Sequence, residues 1–424
     1  MKSPKKWGIP LALTIAAAMV IVLGTSFQAV ADYKIGMQHY KAGKYEAALA
    51  EFQKQIDMSP TWHFSKYMAG ICLLKLKKLD QASAMLEQAM VDAENDKDRF
   101  KTLDVLGKVY KAKRNYDKAV EKFETAAGLQ VPAKMKGKAH EQAGDVHLKT
   151  KKFKEAEKSF GQAATLNSDD KDLQYKLGIV RMRTGNYDGA VAALEKAHML
   201  NSKDLKWMER LGDAYLARAL RTKDANKKRE YYGKGLSLAK KGLSINPGSF
   251  TMNELLGNSY LGLQDYEQAI QVLTKAVSMK PDYGHAYYNL AQACAAKKDY
   301  SEAERCLMKA RDLMPKDAAV FTSLGFVYEK QKRLDESKQA YNTAYNLKPS
   351  NFNKKNLARV QKNIDIRDQN LAIEQDNVKI EKLNELISLE NQRIEMENVE
   401  AERINEIIEQ EFGDEEKENK DKDK

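Results

Sequence analysis

Between Tyr33 and Pro349 a set of small and large apolar positions returns about every 34 residues. The clearest copy reads Leu106-Gly107, Tyr110, Tyr116, Ala119, Phe123, Ala126. Apolar residues three and four apart mark helices, and the polar run Lys111–Asn115 separates two such stretches. One helix pair of this size cannot bury its own apolar stripe, so the period predicts pairs stacked on one another. The Gly and the Ala fall where two antiparallel helices come closest, because a branched side chain there would hold the backbones apart. The aromatic residue and the later large apolar residue fill the space beside that contact.

Nine copies can be aligned. Their small-residue positions are Gly36, Gly70, Gly107, Gly144, Gly178, Gly212, Gly257, Ala291 and Gly325. The aromatic position holds Tyr45, Leu79, Tyr116, Phe153, Tyr187, Tyr232, Tyr266, Tyr300 and Leu334, and a small residue, usually Ala, follows three later. Pro60, Pro247, Pro281, Pro315 and Pro349 close five copies by stopping the second helix. In the sixth copy Tyr215 and Tyr232 stand eleven residues further apart than their counterparts, close to three helical turns. Both helices there are expected to lengthen into a hairpin with its tip near Asp224-Ala225-Asn226.

This layout resembles the tetratricopeptide repeat family over about three quarters of the chain. The resemblance implies an all-α fold, a right-handed α-solenoid of about nine helix pairs over residues 32–349. It also implies a concave surface lined by the first helix of each pair, which holds other proteins and carries no catalytic machinery. On that surface the first two copies place Tyr33, Met37, Tyr40, Phe64, Tyr67, Ile71 and Leu74, and the third places Lys101, Asp104, Lys108 and Lys111. Glu141, Asp145, Glu209 and Asp213 follow in the fourth and sixth copies, Tyr175 and Tyr288 in the fifth and eighth. The Lys-and-Asn clamp by which some family members hold a C-terminal carboxylate is not evident. Tyr33, Tyr40, Phe64 and Tyr67, with Lys101, Lys108 and Lys111, are the candidate partner-binding residues. The aromatic set is either a peptide or helix site or a surface covered by residues that precede it.

Residues 1–31 read as an export signal: Lys2, Lys5 and Lys6, then the apolar run Leu11–Leu23, then Ala29-Val30-Ala31. Cleavage would leave the chain periplasmic or secreted; an uncleaved signal would anchor it in the inner membrane with the repeats facing the periplasm. Residues 350–412 contain no Gly or Pro and predict one long helix. Ile366, Ile373, Ile380, Ile387, Ile394, Ala401 and Ile408 recur every seven residues, but Gln369, Asp376, Glu390 and Glu397 spoil the seam three residues after them. A second stripe, Leu357, Ile364, Leu371 and Val378, lies nearly opposite. The tail is thus a weak self-associating coiled coil over 366–408, a helix docked on the repeats or a partner, or partly disordered. The charged residues 413–424 are expected to be disordered.

The net charge of +11 divides unevenly: residues 32–349 hold 55 basic and 40 acidic groups, residues 350–424 hold 13 and 20. An exported chain meets no nucleic acid, so the basic excess suits acidic protein segments or acidic polysaccharide. Cys72, Cys294 and Cys306 are too few for a disulfide framework and read as buried apolar residues. The six His are scattered, and no metal, cofactor or nucleophile motif stands out. The expectation is therefore a non-catalytic interaction scaffold of the bacterial cell envelope. The alternative is a polysaccharide- or cell-wall-binding accessory of an envelope synthesis or export complex.

Overall fold

The computed structural model describes residues 33–422, with side-chain surroundings through residue 410; the export-signal segment lies outside them. The regular elements among the described residues are all helices. Repeat 1 pairs residues 33–41 with Tyr45–Met58, and repeat 2 pairs His63–Lys75 with Leu79–Val91. Repeats 3 to 5 pair Asp96–Ala112 with Tyr116–Gly128, Ala133–Lys149 with Phe153–Leu166, and Lys171–Thr184 with Tyr187–Leu200. Repeat 6 joins Leu205–Arg221 to Ala225–Ile245. Helices Phe250–Gly262 and Tyr266–Met279 are those of the seventh copy; Gly284–Ala296 with Tyr300–Leu313 and Ala318–Lys330 with Leu334–Leu347 form repeats 8 and 9. A last helix, Asn351–Lys422, completes the chain. The helices cluster into two compact units, one ending at Asp265 and one beginning at Tyr266.

Within each unit the core is built around the contact expected from the sequence. A methyl carbon added to Gly107 would lie 2.5 Å from the Phe123 ring, and one on Gly144 2.8 Å from Phe160. Gly70 meets Leu86, Gly178 meets Leu194 and Gly325 meets Tyr341 in the same way. The partner is always the large apolar residue seven after the aromatic position, and each is almost wholly buried. In repeat 9 the Ala position is Ser337, whose hydroxyl donates to the Gly325 carbonyl at 2.7 Å, so the close approach survives the polar atom.

Repeat 6 departs from this scheme. Its second helix carries Gly235 and Ala239 where other copies carry Ala and a large residue. The vacated space is filled from the next helix: a methyl on Gly212 would meet Leu255 at 2.4 Å. The two long helices meet at the turn Thr222–Asp224, where the Asp224 carboxylate accepts from the Asn226 and Lys227 amides. Arg218 pairs with Asp188 and Arg221 lies 4.1 Å over the Tyr187 ring, so part of the hairpin's basic charge is already engaged.

The turns inside the repeats use a left-handed residue that the sequence pattern did not reveal. Lys77, Arg114, Lys151, Lys298 and Lys332 hold φ between 59° and 65°, while Gly43 and Gly185 take that place in repeats 1 and 5. A side chain in this region is strained, yet these cations sit at the negative C-terminal end of the preceding helix, where positive charge is favoured.

The long helix begins docked. Val360 and Ile364 are buried with Tyr341, and Leu334 and Leu357 pack beside them. Arg359 pairs with Glu329 and Arg367 with Asp335, each at 2.7 Å. From residue 365 to 410 every side chain is exposed. The helix runs past Gly413 to Lys422 instead of ending at Phe412.

Cys72, Cys294 and Cys306 are free and buried. Burial pushes the Cys72 and Cys294 thiols up to about 11 and Cys306 to about 12. An aromatic disulfide reagent at pH 8 is expected to titrate none of them in the native protein and all three after denaturation, because the thiolate is the reactive form. Gly107→Ala is expected to lower stability by about 1–2 kcal/mol, the overpacking penalty less the gain in helix propensity. Gly161→Ala, with nothing within 4 Å of the added methyl, is expected to raise stability by about 0.5–1 kcal/mol. Denaturant midpoints measure both.

Candidate partner-binding surfaces

The aromatic residues predicted at the N-terminal end do gather. The Tyr33 ring lies 5.3 Å edge-on from Phe64 and 5.8 Å from Trp62, and Phe64 lies 6.0 Å from Tyr67. Beneath them Phe52, Met68 and Cys72 are fully buried, and the four rings themselves are half-buried. Tyr40 packs against Tyr45 at 5.7 Å instead. Trp62 was missed because it precedes the first turn of its helix; its place two residues before Phe64 was the available signal. His63 stacks on Tyr67, and its Nδ1 lies 2.7 Å from the Ala89 carbonyl, a structural role. Burial, then the charge of Asp104, pushes the Tyr67 hydroxyl up to about 12.

The basic residues of repeat 3 are laced with acids. Lys101 Nζ donates to Asp98 at 2.8 Å and Lys108 to Asp104 at 2.6 Å, and Lys138 stands 3.9 Å from the same Asp104 carboxylate. Lys111 is half-buried on the same helix. In repeats 4 and 5, Lys176 reaches both Glu141 and Asp145, at 2.8 and 3.0 Å. Such surface pairs contribute roughly 0–1 kcal/mol each, but they weaken the local positive charge that Lys101, Lys108 and Lys176 could offer a partner. Tyr175 stacks on Trp207 with centroids 5.2 Å apart and planes 16° from parallel.

A concavity lies in the C-terminal unit. Two adjoining cavities of about 710 and 930 Å³ share Thr322, Ser323 and Phe352 as lining residues. Their walls come mainly from the first helices of repeats 8 and 9 and the opening turns of the long helix, with Leu307 and Tyr341 of the second helices and the turns that follow them. Phe326 is 40% exposed and Phe352 64%, so both offer apolar surface to an occupant. Neutral polar groups stand between them: Gln292 Nε2 donates to Ser323 Oγ at 2.8 Å, and Thr322 Oγ1 donates to Asn353 Oδ1 at 3.1 Å. At one end Arg359 grips Glu329 with two parallel bonds of 3.1 and 2.7 Å. Tyr341, 1% exposed, lines the wall and donates to Glu329 at 3.4 Å. Tyr288 lies in this groove as the sequence reading placed it. Phe352, Asn353 and Arg359 were missed, because they come from the tail and enter the groove only when that helix docks.

Among the described residues no cluster of three His, Cys, Asp or Glu could hold a metal, and no helix is long and apolar enough to cross a membrane. A family model described as "Tetratricopeptide repeat" matches residues 105–171 and 141–204. With the glycine contacts repeating in the structure, that match decides the family. The chain is a tetratricopeptide repeat protein. A model of the "Cilia and flagella-associated protein 70 C-terminal domain" matches residues 208–349. Anaphase-promoting complex subunit 3 of Schizosaccharomyces pombe is 21% identical over 259 residues, 61% of this chain and 36% of that one. The tetratricopeptide repeat protein thus spans about a third of that relative. Among solved structures it is similar to a tetratricopeptide repeat protein of Parabacteroides merdae, at 13% identity and a TM-score of 0.48, covering 62% of this chain and 99% of the other. A second, from Thermus thermophilus, shares 21% identity at a TM-score of 0.36 and covers 43% and 94%.

Burial, reinforced by the Glu329 charge, pushes the Tyr341 hydroxyl up to about 12. A folded-state value raised above the unfolded one contributes stability below pH 10, lost as pH rises towards 12. Tyrosinate absorbance is expected to show Tyr341 ionising only as the C-terminal unit opens. Tyr341→Phe is expected to flatten that alkaline loss.

Proposed function

We propose that this tetratricopeptide repeat protein is a non-catalytic scaffold of the bacterial cell envelope that holds segments of other proteins in the groove of its C-terminal unit. The observation that carries the reading is the groove's mixed lining. Phe326 and Phe352 supply two apolar anchors, and Gln292, Thr322, Ser323 and Asn353 supply neutral donors and acceptors between them. That combination suits a peptide, whose side chains seek apolar pockets while its backbone seeks hydrogen bonds. The N-terminal cluster of Tyr33, Phe64 and Tyr67 is a second contact surface of the same kind. The name of the fission-yeast relative marks it as a subunit of a complex, which accords with a scaffold. The envelope setting rests on the signal-like residues 1–31.

A second reading, an accessory that binds polysaccharide or cell wall, rests on one observation. Tyr175, half-buried and stacked on the buried Trp207, with Lys171 at 6.0 Å over the Trp207 ring, offers a partly open aromatic face beside a cation. Sugar rings stack on such platforms, and salt would weaken the hold on an acidic polymer.

The test is capture from cell envelopes by the full chain, run beside Phe326→Ala with Phe352→Ala. Phe352 is mostly exposed and Phe326 partly so, packed edge-on to Tyr300, so the double variant is expected to stay folded with a modestly lowered denaturation midpoint while losing captured proteins tenfold or more, about 1.4 kcal/mol. Undiminished capture of the same proteins contradicts the groove. Salt-sensitive retention of purified polysaccharide in their place favours the second reading.

A further inference from the structure

The exposed part of the long helix carries a pattern beyond its isoleucines. Three residues before each member of the Ile series stands an Asn: Asn363, Asn370, Asn377, Asn384, Asn391, Asn398 and Asn405. Seven consecutive heptads therefore read Asn-x-x-Ile-x-x-x, with Ala401 in place of Ile once. The alternating spacing of three and four residues is that of a coiled-coil seam, with Asn in one core position and Ile in the other. The repeats reach only its start, where Asn363, Ile366 and Asn370 line a concavity with Glu329, Lys330 and Leu334 of repeat 9, and leave it open from Ile373 onward. Ile364 and Ile366 are two residues, or about 200°, apart around the helix; Ile364 is 6% exposed against repeat 9, whereas Ile366 is 44% exposed.

We infer that this seam joins further copies of the same chain, parallel and in register. An Asn amide has both donors and an acceptor, so an Asn facing another Asn satisfies both. An Asn facing Ile buries an unpaired amide. Parallel, in-register copies place Asn on Asn and Ile on Ile in every layer, while antiparallel copies set Asn against Ile throughout. A different protein would need the same Asn period to do as well; the chain itself supplies it.

The flanks of the seam are acidic. Glu374, Glu381, Glu395 and Glu402 follow the Ile positions, and Asp376, Glu390 and Glu397 precede the Asn positions. Copies repel along these edges, and salt screens that repulsion. Self-association is therefore tightened by salt, whereas a partner with basic flanks would be released by it. Parallel copies carry the starts of their long helices, and so the Phe352 side of each groove, to one end of the assembly. Weak grooves then act together.

The full chain is weighed by sedimentation at low and high salt, beside Ile380→Asp with Ile387→Asp. Both substitutions lie beyond the docked segment, so the repeats stay folded. The expected result is a multimer that tightens tenfold or more with salt and falls to monomer in the variant. Asn370→Cys and Asn405→Cys, made separately and mixed, are expected each to form disulfides with their own kind and not with each other. A monomer at every salt, a multimer that survives the double substitution, or links between positions 370 and 405 would overturn the inference. Envelope capture through Phe326 and Phe352 does not use these residues, so the two readings fail independently.

Discussion

Two helices can approach most closely where one of them has no side chain, and in seven of the nine repeats a glycine meets a buried Phe, Leu or Tyr at that point. The contact fixes both the separation and the rotation of the pair, because the large residue can fill the notch from only one side. Everything further out follows. With the pair fixed, the Ala positions are driven to zero exposure, the turn closes through a left-handed residue, and the remaining apolar stripe has no cover except the next pair. Repeat 6 shows the rule by exception: where its own large residue is replaced by Ala239, Leu255 of the following helix takes the notch opposite Gly212.

The fold was legible because this constraint acts on residue types. Gly, Ala and a large apolar residue at fixed offsets leave a trace in one dimension, and the extra turns of repeat 6 leave another. Features that depend on partners distant in sequence left a fainter trace. The second stripe, Leu357 and Ile364, was visible, but that it covers Tyr341 could not be read before Tyr341 was placed. The groove wall made by Phe352 and Asn353 was hidden for the same reason. The left-handed turns were hidden because Lys, Arg and, at Gln264, Gln occupy most of them, where propensity alone would favour Gly. The Asn period was in plain view but was sought on the wrong side of the isoleucines.

Electrostatics narrows the functional reading. The basic excess of the repeats is not a bare surface: Lys101, Lys108 and Lys176 each have a carboxylate within 3 Å. The C-terminal unit gathers apolar and neutral polar surface between Phe326 and Phe352, with Glu329, Lys330 and Arg359 at its edge, and the proposed recognition rests on that surface. The long helix serves two faces at once. Its docked stripe completes that groove, and its Asn–Ile face stands clear of repeat 9 from Ile373 onward, so groove binding and self-association do not compete for the same side chains.

The central claim is that partners are held in the groove of the C-terminal unit. A photo-crosslinking amino acid placed at Ser323, inside the groove, tests it most directly in intact cells. Lys309, exposed on the second helix of repeat 8, serves as the control position. The account predicts discrete protein adducts from position 323 and few or none from position 309. Adducts from position 309 alone, or equal adducts from both, would contradict it.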